Sequence, residues 1–257
     1  MRDVCSRGGV RRRAARLRGA RCSSPHWHGG DDILKLIVGV LCNVAIFGAL
    51  RFLPTRNLSW WRAWVFLGVV LVGATVSTVS VRLASPALLE ERFKLPVQKG
   101  QPLADRIVVL SLIAAFVGEI VFIPLDVFRL HLMARPGVFV SSAGILVFVA
   151  GWWVMTLALR ANPFCGAGGE ASGGPPAGGD RQRALHLVRH PMYAGAITLF
   201  VGMPLWLESY AATILASIPA GLLVLRIHIE ERFLRRELPG YAAYTRRVRY
   251  RLIPRLW

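Results

Sequence analysis

Six apolar runs separated by charged or polar breaks organise the chain: Ile33 to Phe52, Trp64 to Val81, Ile107 to Leu125, Val138 to Leu159, Pro191 to Leu207 and Ala211 to Leu225. The first four reach or approach the roughly 18 to 20 residues that a helix needs to cross hydrocarbon. The last two are shorter and predict a tilted or partly re-entrant hairpin, tolerated in a bilayer only if its backbone stays helical or packs inside protein. The expected fold is all-α, a multi-pass integral membrane bundle of five to six helices with a C-terminal helical hairpin and an interfacial tail. Its parts are a disordered Arg-rich tail over 1–32, four spans over 33–160, a Gly/Pro-rich cytoplasmic loop over 161–188, and the hairpin with its interfacial segment over 189–257.

Composition sharpens this picture. The 257 residues are 54% hydrophobic yet carry a formal net charge of +18, a pairing that sets lipid-buried spans against basic water-facing loops and argues against a soluble fold. With the N-terminus inside, the 32 Lys and Arg residues divide 27 to 5 between inner and outer segments. The positive-inside rule therefore places both termini in the cytoplasm. The same clustering beside spans accounts for the charge through lipid head groups and topology, so membrane lipids are expected partners and nucleic acid is not.

Residues 1–30 hold Arg11-Arg12-Arg13 and five further arginines among Gly, Ser and Ala, too little apolar content for a packed core. A cytoplasmic topology anchor, an overlong translation start and an organellar transit peptide all fit. A cleaved signal peptide fits poorly, because the first apolar run is long and has no evident small-residue cleavage site after it. Cys5, Cys22, Cys42 and Cys165 lack C-x-x-C spacing, and His26-Trp27-His28 sits in a basic tail, so no metal is expected. Gly166 to Gly179 reads as a linker, not a dinucleotide fingerprint, since it neither follows a strand nor opens a βαβ unit.

Chemistry concentrates at the two ends of the hairpin. Arg189-His190-Pro191-Met192-Tyr193 precedes its first run, Glu208-Ser209 breaks it, and Arg226-Ile227-His228-Ile229-Glu230-Glu231 closes its second. Antiparallel helices of similar length bring these charged ends to one membrane face. Pro191 suits a first helical turn and places His190 near the N-cap, beside free N–H groups and a partial positive charge that attract carboxylates. A helix start at a membrane interface, with Tyr193 as anchor, accounts for the same residues. At the exit, Arg226 and Glu230 could be an i,i+4 ion pair, or paired carboxylates beside an Arg could hold a ligand with cationic or hydroxyl groups. Glu119, about two-thirds along the third run, either lines such a site or pairs with another polar residue.

RHPMYAG at 189–195, the apolar hairpin after it, and RIHIEERFLRRELPGYAAYTRRVRYRLIP resemble the isoprenylcysteine carboxyl methyltransferases, with their bacterial relatives and the related phospholipid methyltransferases. The likeness is strongest over residues 186–257. It implies an S-adenosylmethionine-dependent methyltransferase acting on a lipophilic or lipid-linked acceptor, such as an isoprenylcysteine-like carboxylate or a phospholipid amine. It implies cofactor binding by His190, Pro191, Met192, Tyr193 and Glu230, with Glu231 sharing the acidic pair, and a catalytic, substrate-facing Arg226. A bacterial inner membrane is the expected location, and the oligomeric state stays open.

The chain departs from the family before Arg189, where Leu185 stands in place of an expected tyrosine and the Gly-rich loop precedes it. That departure leaves room for a catalytically impaired membrane scaffold of the same fold. An NADPH-dependent sterol-type reductase shares a tail like Tyr241 to Pro254 but has Asn after Arg-His, where this chain has Pro191 and Met192.

Overall fold

The computed structural model describes residues 29–84, 103–160, 188–237 and 241–257. Two compact units divide the chain, residues 1–38 and 39–257. Of the first, the described residues are the opening of α1 (Gly29–Phe52). The second continues through α2 (Trp61–Ala84), α3 (Leu103–Leu125) with a π-helical turn Asp126–Leu130, α4 (Val138–Arg160), α5 (Pro191–Trp206), α6 (Tyr210–Leu215), α7 (Ser217–Glu237) and α8 (Tyr241–Arg247). Among the described residues there is no strand, and the isolated parallel bridge Val188–Tyr250 is the β-type pairing recorded. The fold is all-α and consistent with a multi-pass membrane bundle.

Among the described residues, four helical segments are long and apolar enough to cross a membrane: Trp61–Leu83, Leu103–Leu130, Val138–Arg160 and Tyr210–Arg236. Leu36–Phe52 and Pro191–Trp206 are shorter apolar helices. One end read from sequence therefore changes. α1 covers the first run and starts earlier, at Gly29 inside the expected tail. The last run does not stop at Leu225, because the charged residues after it continue the helix to Glu237. The Arg-rich tail up to residue 28, with His26 and His28, and the loop 161–187 with Leu185 lie outside the described residues.

Glycines set the closest helix contact. A Cβ on Gly151 of α4 would lie 2.7 Å from the Gly195 carbonyl oxygen, and one on Gly195 of α5 would lie 2.7 Å from that of Gly151. A Cβ on Gly202 would meet the Phe148 amide nitrogen at 2.5 Å. Both helices thus carry glycines seven residues apart on the facing side, which lets the backbones touch where lipid gives no hydrophobic driving force. Trp152 of α4 reaches α2 by donating from Nε1 to Ser77 Oγ at 2.8 Å, and Ser77 shares a further hydrogen bond with Thr156 Oγ1 at 2.6 Å. Trp60, Phe66, Ile123, Phe148, Met203 and Trp206 form the buried core beneath.

The polar break at Glu208-Ser209 is the turn of the hairpin. Glu208 takes a left-handed conformation with φ 67°. Ser209 caps α6 by accepting the Ala212 N–H at 2.9 Å and donates to Asp126 Oδ2 at 2.6 Å. Arg62 donates to the Trp206 carbonyl at 3.0 Å and pairs with Glu208 at 3.2 Å. The turn is therefore tied to α2 and to the π-helical end of α3. Glu119 is fully buried in this half of the bundle, with Arg51 as its charged neighbour. Neither oxygen of its carboxyl group has a hydrogen-bond partner among the described residues.

Candidate active site at the charged ends of the hairpin

α5 begins where the sequence places it, with His190 at the N-cap and Pro191 in the first position. The fixed φ of proline is pre-organised for a helix and its missing N–H was an orphan in any case. The strand-like approach is held by the tail: the Arg189 N–H donates to the Tyr250 carbonyl and the His190 N–H to that of Arg251, each at 2.9 Å. Arg189 then spreads its guanidinium over the same tail, donating from Nε to the Val248 carbonyl at 3.0 Å and from Nη2 to that of Arg249 at 2.8 Å.

The two ends of the hairpin meet. Tyr193 Oη donates to Glu230 Oε2 at 2.7 Å. The Arg226 guanidinium lies 5.8 Å from the centre of the Tyr193 ring. The His190 ring stacks on Tyr193, with centroids 5.4 Å apart and planes within 3°. His190, Tyr193, Arg226 and Glu230 thus form one cluster. Pro191 and Met192 occupy the first turn of α5 beside it, both partly exposed.

The expected i,i+4 pair of Arg226 with Glu230 is not what forms. Arg226 Nε instead lies 3.4 Å from Asp105 Oδ1 on the first turn of α3. Glu230 takes Tyr193 as its partner, and its Oε1 has no hydrogen-bond partner among the described residues. Glu231 is buried and committed: Oε1 receives Arg189 Nη1, Oε2 receives Arg251 Nε at 3.1 Å, and Arg235 lies 3.9 Å away. Of the acidic pair, one carboxylate braces the tail against the hairpin and the other faces the cluster.

Electrostatics separates the two edges of the His190 ring environment. Burial is the largest influence and pushes the imidazole below its ordinary value of 6.5, while Glu230 and Glu231 pull the other way and Arg189 adds to the lowering. A neutral imidazole follows at neutral pH. Its Nε2 is 3.4 Å from Glu231 Oε1 and is buried without a hydrogen bond. Unsatisfied buried polar atoms are uncommon in native structures, which makes this nitrogen a candidate ligand contact.

Sequence patterns did not reveal Asp105, Arg189 as a brace, or Arg251. Arg189 was visible beside the His-Pro pair, but its partners come from a segment folded back from the chain's end. Asp105 carried only the signal of an acidic residue at a helix start.

Residues 182–239 match a family model described as phospholipid methyltransferase. The match spans the hairpin and both charged ends, bears out the resemblance in the sequence, and supports a membrane methyltransferase as the broad class. Comparison with curated proteins finds no match.

Proposed function

From a chain whose residues 182–239 are of phospholipid methyltransferase type, we propose an S-adenosylmethionine-dependent transferase that methylates a lipophilic acceptor at the cytoplasmic face of a bacterial inner membrane. The single observation behind this reading is the junction of Tyr193 with Glu230 and Arg226, at one end of a hairpin that lies inside the matched segment.

The residues present fit the cofactor. Glu230 offers Oε1 to an amine or hydroxyl, held in place because Tyr193 takes up Oε2. His190 offers a buried nitrogen without a hydrogen-bond partner, beside Glu231 Oε1 at 3.4 Å. The N-terminal end of α5, at Pro191 and Met192, presents the positive end of a helix to a carboxylate. Glu231 acts one step back, holding Arg189 and Arg251 and through them the entrance to α5.

When bound, S-adenosylmethionine supplies a methyl group on a positively charged sulfur. Transfer is an in-line displacement, so the chain's task is alignment of nucleophile and methyl, with charge complementarity to a positive charge that fades. Arg226 positions an anionic group of the acceptor. A carboxylate acceptor, such as that of an isoprenylcysteine-like substrate, needs no base; a phospholipid amine must first lose a proton. An acceptor of either kind enters from lipid between apolar helices, so partners are a lipid-linked or lipophilic small molecule and the surrounding lipids.

Binding of S-adenosylmethionine and of NADPH to the detergent-solubilised full chain tests this directly. Saturable S-adenosylmethionine binding, lost in Glu230→Ala, is the expected result. Saturable NADPH binding without S-adenosylmethionine binding overturns it in favour of a reductase, and binding of neither overturns it in favour of a scaffold.

A further inference from the structure

Among the described residues, Arg226 is held from one side. Its Nε faces Asp105 Oδ1 at 3.4 Å, and its guanidinium rests beside the Tyr193 ring. The approach to Asp105 is an ion pair without hydrogen-bond geometry, since Nε is buried and lacks a hydrogen-bond partner. Among the described residues no group hydrogen-bonds Nη1 or Nη2, and the side chain keeps a 26% exposure. The terminal edge of the guanidinium fork is thus presented outward while its inner edge is anchored.

We propose that Asp105 is a positioning residue that fixes the Arg226 fork for two-point binding of an anionic acceptor group, a carboxylate or a phosphodiester. This rests on the methyltransferase reading of the same site. The geometry of a guanidinium fork matches two oxygens of such a group, but only if the plane of the fork is held; a free arginine side chain spends rotamer entropy on every binding event. Asp105 supplies the hold from α3, an element outside the matched hairpin, and Tyr193 supplies the floor. An acidic residue at a helix start is stabilised by the helix dipole alone, yet the dipole does not account for a contact with an arginine of α7. Because Asp105 takes Nε and leaves the terminal nitrogens, it orients the arginine without occupying the face that meets the acceptor.

The inference extends to specificity. Acceptors bearing a planar carboxylate or a phosphodiester gain from both terminal nitrogens, whereas a neutral lipophilic acceptor gains from neither. Discrimination between anionic and neutral acceptors then depends on Asp105 as well as on Arg226.

The test uses the full chain in detergent with labelled S-adenosylmethionine and two probes, an S-prenylated cysteine with a free carboxylate and phosphatidylethanolamine in mixed micelles. Asp105→Asn removes the charge and keeps the shape; Asp105→Glu restores the charge. The expected result is an acceptor KM raised about tenfold in Asp105→Asn, a kcat changed much less, S-adenosylmethionine affinity unchanged, and KM recovered in Asp105→Glu. Unchanged acceptor KM in Asp105→Asn, with Arg226→Ala inactive, overturns the role of Asp105 while leaving the transferase reading in place. Equal losses in kcat and in S-adenosylmethionine affinity, unrelieved by Asp105→Glu, mark a merely structural contact and overturn it too. A wild-type chain that transfers label to neither probe removes the reading itself and the inference with it.

Discussion

Tyr193 Oη donates a 2.7 Å hydrogen bond to Glu230 Oε2, joining the first turn of α5 to the charged end of α7. The bond does two things at once. It closes the hairpin at the end opposite its turn, and it fixes which oxygen of Glu230 stays available. Tyr193→Phe keeps the ring beneath Arg226 and against His190 while releasing the carboxylate. A hydrogen bond to a charged group contributes about 1.5–3 kcal/mol, so cofactor affinity should fall roughly tenfold or more with the helical fold intact. Calorimetric titration of S-adenosylmethionine into the variant measures it; an unchanged Kd would show that the phenol does not place the carboxylate.

Glu231→Gln should act on stability first. The carboxylate sits 3% exposed among Arg189, Arg251 and Arg235, so neutralising it leaves the buried Arg189 and half-buried Arg251, and less consequentially the exposed Arg235, short of a counter-charge. Discounting for the exposure of Arg251 and Arg235, a loss of about 2 kcal/mol is expected. A thermal melt in detergent should show a lower Tm. The tail should also become more accessible to protease, because Arg189 links it to the start of α5. A melt identical to wild type would remove Glu231 as the brace.

The hairpin was legible in sequence because its ends are marked by charge and proline, and the turn by Glu208-Ser209, against uniformly apolar surroundings. Tyr193 and Glu230 are therefore where the pattern places them. The partner of Arg226 was not legible, since Asp105 lies on another helix and only packing of α7 against α3 brings it near. Hydropathy also misjudged one end: charge stops an apolar run but not a helix, so α7 runs on to Glu237, with Glu231 satisfied by the tail and Arg226 facing Asp105 of α3. The glycines of α4 and α5 did carry a signal in their seven-residue spacing, which becomes meaningful only once the two helices are known to face each other.

The His190 imidazole gives the site a pH dependence with a definite sign. Burial holds its folded-state value below the ordinary 6.5, so the unfolded chain takes up a proton first as pH falls. The contribution of this group to stability is fully present above about pH 6.5. It is lost progressively as pH drops from there through the lowered folded-state value. His190→Gln should flatten this part of the profile. Thermal melts of wild type and variant between about pH 5 and 8 isolate it as a difference. Wild-type stability that rises on acidification, with the variant flat, would reverse the assigned cause.

Two glycine substitutions should part company. Gly202→Ala places a methyl 2.5 Å from the Phe148 amide nitrogen and 2.7 Å from the Gly144 carbonyl oxygen, both backbone atoms of α4 that cannot rotate away. The helices must separate, and overpacking of this kind costs about 1–3 kcal/mol. Gly221→Ala in α7 meets nothing within 4 Å, so it should be neutral or stabilising by up to about 1 kcal/mol through helix propensity. Melting temperatures of the two variants should move in opposite directions or differ by several degrees; equal shifts would argue against direct backbone contact between α4 and α5.

Arg51 and Glu119 are ionisable side chains buried in the same interior, and a double-mutant cycle separates coupling between them from their individual burial. Arg51 Nη2 donates to Met203 Sδ at 3.0 Å and the guanidinium stands 4.2 Å from the Phe66 ring centre, while its Nε and Nη1 make no hydrogen bond. Both oxygens of Glu119 are likewise buried without a hydrogen-bond partner. Among the described residues neither makes a hydrogen bond or a close ion pair with the other, so coupling between them acts at longer range. If they are coupled, removing one leaves the other without its charged neighbour, at a cost of up to about 3–5 kcal/mol, whereas removing both together leaves an apolar interior that helices can pack. Glu119→Leu and Arg51→Met should each destabilise strongly, and the double variant should recover most of the loss. Unfolding in detergent followed by circular dichroism measures the three. Strictly additive effects would mean that the two groups are stabilised by separate surroundings, and coupling to Arg51 would be lost as an explanation for Glu119 in a hydrophobic helix.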